Sequence, residues 1–203
     1  KEDVRVKIGH FADNIPRECD LVVYSRAVPA TNVERQAAVE RGITEVSYPQ
    51  FIGALAKEYK TIAISGTNGK STTTAMVARI LIDAGLDPTV IIGTLVPGWE
   101  KKNLRVGKGD WLIVEACEHL ASMLEISPDI AVITNIEEDH LDFYKDLDDI
   151  RGHFQTWVDG IKNGGSVVLN AQDGQSDMLK TSNAVKFDAR DDLNLAIPGS
   201  FNM

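Results

Sequence analysis

Thr61-Ile-Ala-Ile-Ser-Gly66-Thr67-Asn68-Gly69-Lys70-Ser71-Thr72 decides how the rest of the chain is read. A β-branched apolar run drops into a glycine turn, and a lysine and hydroxyls then open a helical pattern. Glycine lets backbone N–H groups close around phosphate oxygens, and a helix N-terminus adds partial positive charge. A lysine at position 70 reaches the β and γ oxygens of a triphosphate, and the Ser71 hydroxyl suits a magnesium ion. The general phosphate-loop pattern asks for glycine where Ile64 stands, so the loop here is the tighter Gly66–Thr72 stretch. A plain strand-to-helix turn that happens to carry a lysine is the alternative. The order strand, loop, helix favours the phosphate reading.

Working outward, Lys70 to about Ala84 reads as a helix stopped by Gly85, and Val90–Ile92 as a short strand before a Gly/Pro/Lys-rich excursion, Val96 to Gly109. Trp111–Glu115 and Ile130–Thr134 are continuous apolar runs, as in strands covered on both faces. Leu147, Ile150, Phe154, Trp157, Val158 and Ile161 recur at spacings of three and four, which predicts an amphipathic helix ending near Gly164. Ser166–Asn170 and Ala184–Phe187 are further strand candidates. Upstream, Val4–Ile8 reads as a strand and Asp20–Ser25 as a buried one. Asn32 is placed to cap a helix running to about Arg41 with Gly42 as its stop, and a second helix follows Pro49 with Phe51, Ile52 and Leu55 on one face. The expected class is α/β with a mostly parallel sheet. The charged stretch Lys57–Lys60 divides residues 1–58 from 59–203.

Composition narrows the function. The 203 residues, 43% hydrophobic and 25% charged, suit a soluble globular protein of one large or two small domains. A net charge of −9 argues against a nucleic-acid surface, so a triphosphate must be held by local donors. No apolar run approaches the roughly 18 residues of a membrane span, and the charged opening is not a signal peptide. Two cysteines, Cys19 and Cys117, make no disulfide framework, and the expected location is cytoplasmic.

Phosphate chemistry also needs ligands at the ends of neighbouring strands. Glu115 ends one apolar run, in Val114-Glu115-Ala-Cys-Glu118, and His140 follows another, in Thr134-Asn135-Ile-Glu-Glu-Asp-His140-Leu-Asp142. Ser71, Glu115 and His140 are therefore the candidate metal ligands, with oxygen donors suiting magnesium better than imidazole does. Singly, each has a plainer reading. Glu115 reads as a solvated turn residue, His140 as a surface histidine among acids, and Asp139 and Asp142 as caps. Cys117 beside Glu118 and His119 suggests zinc, but no second Cys or His pair has finger-like spacing, and zinc is set aside.

Together these segments resemble the Mur ligases, ATP-dependent amide-bond-forming enzymes of peptidoglycan precursor synthesis. Gly66–Thr72 looks like their ATP loop, Asn135–Asp142 like their histidine motif, and Glu115 like their magnesium-binding glutamate. Leu195-Ala-Ile-Pro-Gly199-Ser-Phe-Asn202 looks like the segment closing their central domain, with Phe201 where the family has histidine. Ser25-Arg-Ala-Val-Pro29 and Val114–Glu118 are similar to the branch that adds L-alanine to UDP-N-acetylmuramate. Gln155 stands where other branches carry a carbamylated lysine, which also favours that branch, whereas Asn68 in place of its usual histidine does not.

The resemblance implies ATP and Mg2+ as cofactors and UDP-N-acetylmuramate and L-alanine as substrates, joined through an acyl phosphate. It implies a phosphate-binding role for Gly66, Thr67, Asn68, Gly69, Lys70, Ser71 and Thr72. Lys70 and His140 would be catalytic, and Ser71, Glu115 and His140 metal ligands. It also implies part of a UDP-sugar-binding domain at 1–58 and an incomplete central ATPase domain at 59–203. The expectation is binding of ATP-magnesium without turnover by these residues alone. Another Mur-type or folylpolyglutamate-type ligase, or a noncatalytic nucleotide-binding module, are the competing readings.

Overall fold

A computed structural model describes residues 4–99 and 103–188. The chain divides into two compact units, Lys1–Ile52 and Gly53–Met203.

In the first unit, β1 (Leu21–Tyr24) and β2 (Thr44–Ser47) pair in parallel, joined through α1 (Val33–Glu40). Asn32 caps α1, its side-chain oxygen accepting from Glu34 N and Arg35 N. The Arg35 guanidinium lies 3.6 Å over the Tyr24 ring and pairs with Glu45, tying helix to both strands. Two expectations fail here. Val4–Ile8 forms no strand among the described residues, and Val4, Val6 and Ile8 stay exposed. Alternation supplies a face but not a ladder partner, and a strand without one does not persist in water. β1 is also less buried than its apolar run suggests, because a two-stranded sheet leaves Leu21 and Val23 exposed. α2 (Tyr48–Ala56) runs across the division at Ile52, with Ile52 and Ala56 buried and Phe51 exposed.

Among the described residues, the second unit holds a seven-stranded sheet in the order β5-β4-β6-β3-β7-β8-β9. Its strands are β3 (Lys60–Ser65), β4 (Thr89–Ile91), β5 (Leu104–Arg105), β6 (Trp111–Glu115), β7 (Ile130–Ile133), β8 (Ser166–Asn170) and β9 (Ala184–Phe187). All pairings are parallel except β4 with β5. β5 lies inside the excursion and was not expected: two residues are too few for any alternation to register. It is anchored by Arg105, which donates to Pro88 O at 2.6 Å and Asp87 Oδ1 at 2.5 Å.

β3 is buried from Thr61 onward. Ile62, Ile64, Val90 and Ile113 form a core with Ala78 of α3 (Lys70–Asp83), against which Val77, Leu81 and Trp99 pack. On α4 (Leu147–Asp159), Ile150, Phe154, Trp157 and Val158 are buried, and the Trp157 indole donates to Ile126 O at 2.9 Å. Burial of such side chains is worth about 1.5–3 kcal/mol each. α4 stops at a Gly160 cap, short of Gly164, because Lys162 is drawn to Pro128 O, Tyr59 O and Asp129. No helix among the described residues is long and apolar enough to cross a membrane. The closing segment Leu195–Asn202 lies outside the described residues.

Candidate functional site

β3 has β6 on one side and β7 on the other, all parallel, so their carboxyl ends open at one edge. The chain crosses from β6 past β3 to β7, the kind of switch point where open α/β sheets bind ligands. The loop Gly66–Gly69, Glu115 and the segment from Thr134 to His140 leave these three ends.

Both loop glycines are required by the backbone. Gly66 has φ +131°, and a Cβ there would sit 2.1 Å from Thr134 Oγ1 and 2.9 Å from Asn135 O. Gly69, at φ +81°, is the N-cap of α3. The loop is held by the segment after β7. Asn135, buried, accepts from Asn68 N through Oδ1 and donates to Asn68 O through Nδ2, both at 3.0 Å. Thr67 N donates to Asn135 O, and Thr67 Oγ1 accepts from Glu137 N at 2.9 Å. Asn68 Nδ2 donates to Glu137 Oε2. Lys70, Ser71 and Thr72 form the first turn of α3.

Two side-chain groups assemble around this turn. In one, Ser71 Oγ donates to Glu115 Oε2 at 2.8 Å, and Gly93 N donates to the same oxygen at 2.9 Å. Hydroxyl and carboxylate oxygens side by side are the donors magnesium takes while keeping waters, so this pair fits that ion. In the other, Lys70 Nζ donates to Glu118 Oε1 at 2.9 Å and to the carbonyls of Gly66 and Thr67 at 2.6 and 3.0 Å. His140 Nε2 lies 3.5 Å from the same Glu118 oxygen. Ser71 and Glu115 thus meet directly, whereas His140 joins the loop through Glu118 and Lys70.

His140 itself has φ +52°, an unfavourable left-handed conformation for a non-glycine residue. Asp139 Oδ1 accepts from its amide at 2.7 Å, and its carbonyl accepts from Phe143 N and Tyr144 N. The Tyr144 hydroxyl donates to Glu118 O. Burial pushes the Tyr144 phenol up to about 12, with the Glu118 charge adding to the effect. Burial likewise raises the Cys117 thiol, again with Glu118 adding, which leaves it a poor thiolate. Gln155, on α4, is bonded to Lys180 O at 2.9 Å and accepts from Lys180 N at 2.8 Å.

Reading the sequence missed Glu118, Asn135 and Gly93 as parts of the site. Asn135 had a signal, since a polar pair ends the apolar run of β7. Glu118 had little, because it precedes a 3-10 segment, His119–Glu125, whose left-handed Leu120 and Ala121 follow no sequence period.

Comparison with known proteins bears on this arrangement. Residues 64–193 match the Mur ligase middle domain, and residues 1–60 match the domain described as Mur ligase family, catalytic domain. A UDP-N-acetylmuramate–L-alanine ligase of Clostridium novyi (strain NT) is 43% identical over 172 residues, covering 83% of this chain and 36% of the relative. The protein of the same name from Clostridium botulinum (strain Hall) is 42% identical over 173 residues, covering 83% and 37%. The chain therefore spans little more than a third of the length of these relatives. The solved UDP-N-acetylmuramate-alanine ligase MurC of Thermotoga maritima superposes with a TM-score of 0.75 at 31% identity, covering 90% of this chain and 41% of that one. With family matches over both parts and a fold shared with a solved member, the chain belongs to the Mur ligase family.

Proposed function

We propose that the Gly66–Thr72 loop binds ATP with magnesium, and that the chain serves the joining of L-alanine to the carboxylate of UDP-N-acetylmuramate through an acyl phosphate. The observation that carries the reading is the meeting of Ser71 with Glu115, and of Lys70 with Glu118, at the carboxyl edge of β3 and β6. The names of the relatives at 42–43% identity favour L-alanine as the added amino acid.

In this reading Gly66, Thr67, Asn68 and Gly69 offer backbone N–H groups to the triphosphate, with Thr72 beside them on α3. Lys70 exchanges the Gly66 and Thr67 carbonyls for phosphate oxygens, stabilising charge that spreads as the phosphoryl group transfers. Ser71 and Glu115 hold magnesium, which when bound neutralises phosphate charge. His140, positioned through Glu118, acts beside the transferring group as metal ligand or as orienting donor. Residues 1–58 belong to the UDP-sugar side and 59–203 to the ATP side.

Calorimetric titration with MgATP tests this. Expected is saturable binding that needs magnesium, is lost in Lys70→Ala and is weakened in Ser71→Ala and Glu115→Ala. Magnesium-independent or absent binding by the unaltered chain would rule it out. A panel of amino acids offered to the full-length parent enzyme separates L-alanine from other additions.

A further inference from the structure

The proposed phosphate centre uses Lys70, Ser71, Glu115 and His140 but leaves two neighbours of His140, His119 and Asp142, without a role. The imidazoles of His119 and His140 stack with centroids 4.3 Å apart and planes 17° apart. Asp142 Oδ2 lies 3.4 Å from His119 Nε2. One ligand atom from each of His119, His140 and Asp142 lies within 4.8 Å of the other two. Beside them, two buried polar atoms lack a hydrogen-bond partner among the described residues: His119 Nε2 and Glu118 Oε2. Glu118 is one of the most buried charged side chains here, at 3% exposure. Buried polar atoms are nearly always paired, and an ion is one reason for an exception.

We propose that His119, His140 and Asp142 form a binding site for zinc, distinct from the oxygen-lined Ser71–Glu115 pair. Two imidazoles and one carboxylate are a donor set that zinc favours and magnesium does not. The fourth position is open to water or to the unpaired oxygen of Glu118. A tetrahedral centre with Zn–N of about 2.0–2.1 Å requires the ligand atoms to draw closer and the two rings to unstack. Side-chain exposures of 36% for His119 and 72% for Asp142 leave room for that adjustment.

The histidines are far apart in sequence, one after β6 and one after β7. They meet because both strands flank β3, which is why no finger-like spacing announces them. His140 is shared with the proposed phosphate centre, so zinc and the transferring group compete for it. The binding claim itself does not depend on the nucleotide reading.

The test is titration of the chelator-treated chain with cobalt, the spectroscopic stand-in for zinc, followed by displacement with zinc. One equivalent should bind with the visible absorption of a four-coordinate site and persist in a large excess of magnesium. His119→Ala and Asp142→Asn should each weaken binding by about tenfold or more, since even outer-shell partners cost that much. Asp142 is exposed, so its variant keeps the test valid if His119→Ala folds poorly. Ser71→Ala and Cys117→Ser should bind like the parent. No saturable cobalt or zinc binding, retention by both ligand variants, or loss in Ser71→Ala or Cys117→Ser would overturn the assignment.

Discussion

The Lys70 ammonium donates to the Glu118 carboxylate across 2.9 Å, in a pair whose side chains are only 15% and 3% exposed. The same ammonium also donates to Gly66 O and Thr67 O, so the resting loop satisfies its own cation. Under the proposed function, a phosphate would have to replace those bonds to engage Lys70. A buried pair of this kind is costly to break from one side, because the survivor is left charged and desolvated.

Glu118→Ala should therefore destabilise the chain by about 3–5 kcal/mol, the usual cost of orphaning a buried charge. Glu118→Gln paired with Lys70→Met should lose much less than the sum of the two single changes, since neither charge then remains. Urea unfolding of the four proteins in a double-mutant cycle measures this. Additive losses would mean that the two groups do not depend on one another.

Tyr144 supports the same glutamate from behind, its hydroxyl donating to Glu118 O. Because burial raises the phenol to about 12 from an ordinary 10.0, the folded chain holds that proton more tightly than the unfolded one. The stability this contributes is complete below about pH 10 and drains away as pH rises towards 12. Tyr144→Phe should cost about 1 kcal/mol near neutrality, the net worth of a hydrogen bond. It should also flatten the fall in stability across that alkaline window. Unfolding midpoints measured against pH decide it, and a variant with the parent's alkaline slope would show that another group is responsible.

How far the sequence carried the fold and the site depended on whether the signal was local. The strands β3, β6 and β8 are continuous apolar or alternating runs bounded by polar residues, and their limits were readable. The strand–turn–helix order around Gly66–Thr72 was readable because an apolar run, a glycine turn and a helical pattern follow one another locally. Val4–Ile8 misled because alternation is local while strand pairing is not. Asn135 was marked only as a polar residue ending an apolar run, and Glu118 hardly at all, because their partners, Asn68 and Lys70, are distant in sequence and are reached only once β6 and β7 flank β3. The stacking of His119 on His140 was hidden for the same reason.

Gly66→Ala is expected to damage the loop more than an alanine elsewhere in it. The new Cβ would meet Thr134 Oγ1 at 2.1 Å and Asn135 O at 2.9 Å, and φ +131° is a conformation L side chains rarely adopt. Strain of about 1–3 kcal/mol adds to the collision. The segment Thr134–Asn135 must move, taking with it the bonds that hold Asn68. A lowered melting temperature together with lost MgATP binding is the expected result. An unchanged melting temperature would show that the loop accommodates a side chain there.

At the opposite end of β3, Asp129 ties the starts of two strands to the chain beyond α4. Its Oδ2 accepts from Thr61 N at 2.7 Å and from Lys162 Nζ at 2.8 Å. Burial alone would push this carboxyl up, but the Lys162 ammonium and the Thr61 amide outweigh it and hold it below the ordinary 3.8. A depressed carboxylate stabilises the fold above its unfolded pKa, and that stability is lost as pH falls through the lower folded value. Asp129→Ala should cost about 1–3 kcal/mol at neutral pH, because Thr61 N–H loses its acceptor and Lys162 its counter-charge. Asp129→Asn keeps an acceptor for the amide and should cost less. Both variants should lose stability less steeply than the parent below about pH 4, since the group that titrates there is gone. Acid unfolding followed by circular dichroism measures the slope. If all three proteins unfold in parallel, the acid sensitivity of this chain lies elsewhere, and Lys162 is held mainly by the carbonyls of Ala56 and Tyr59.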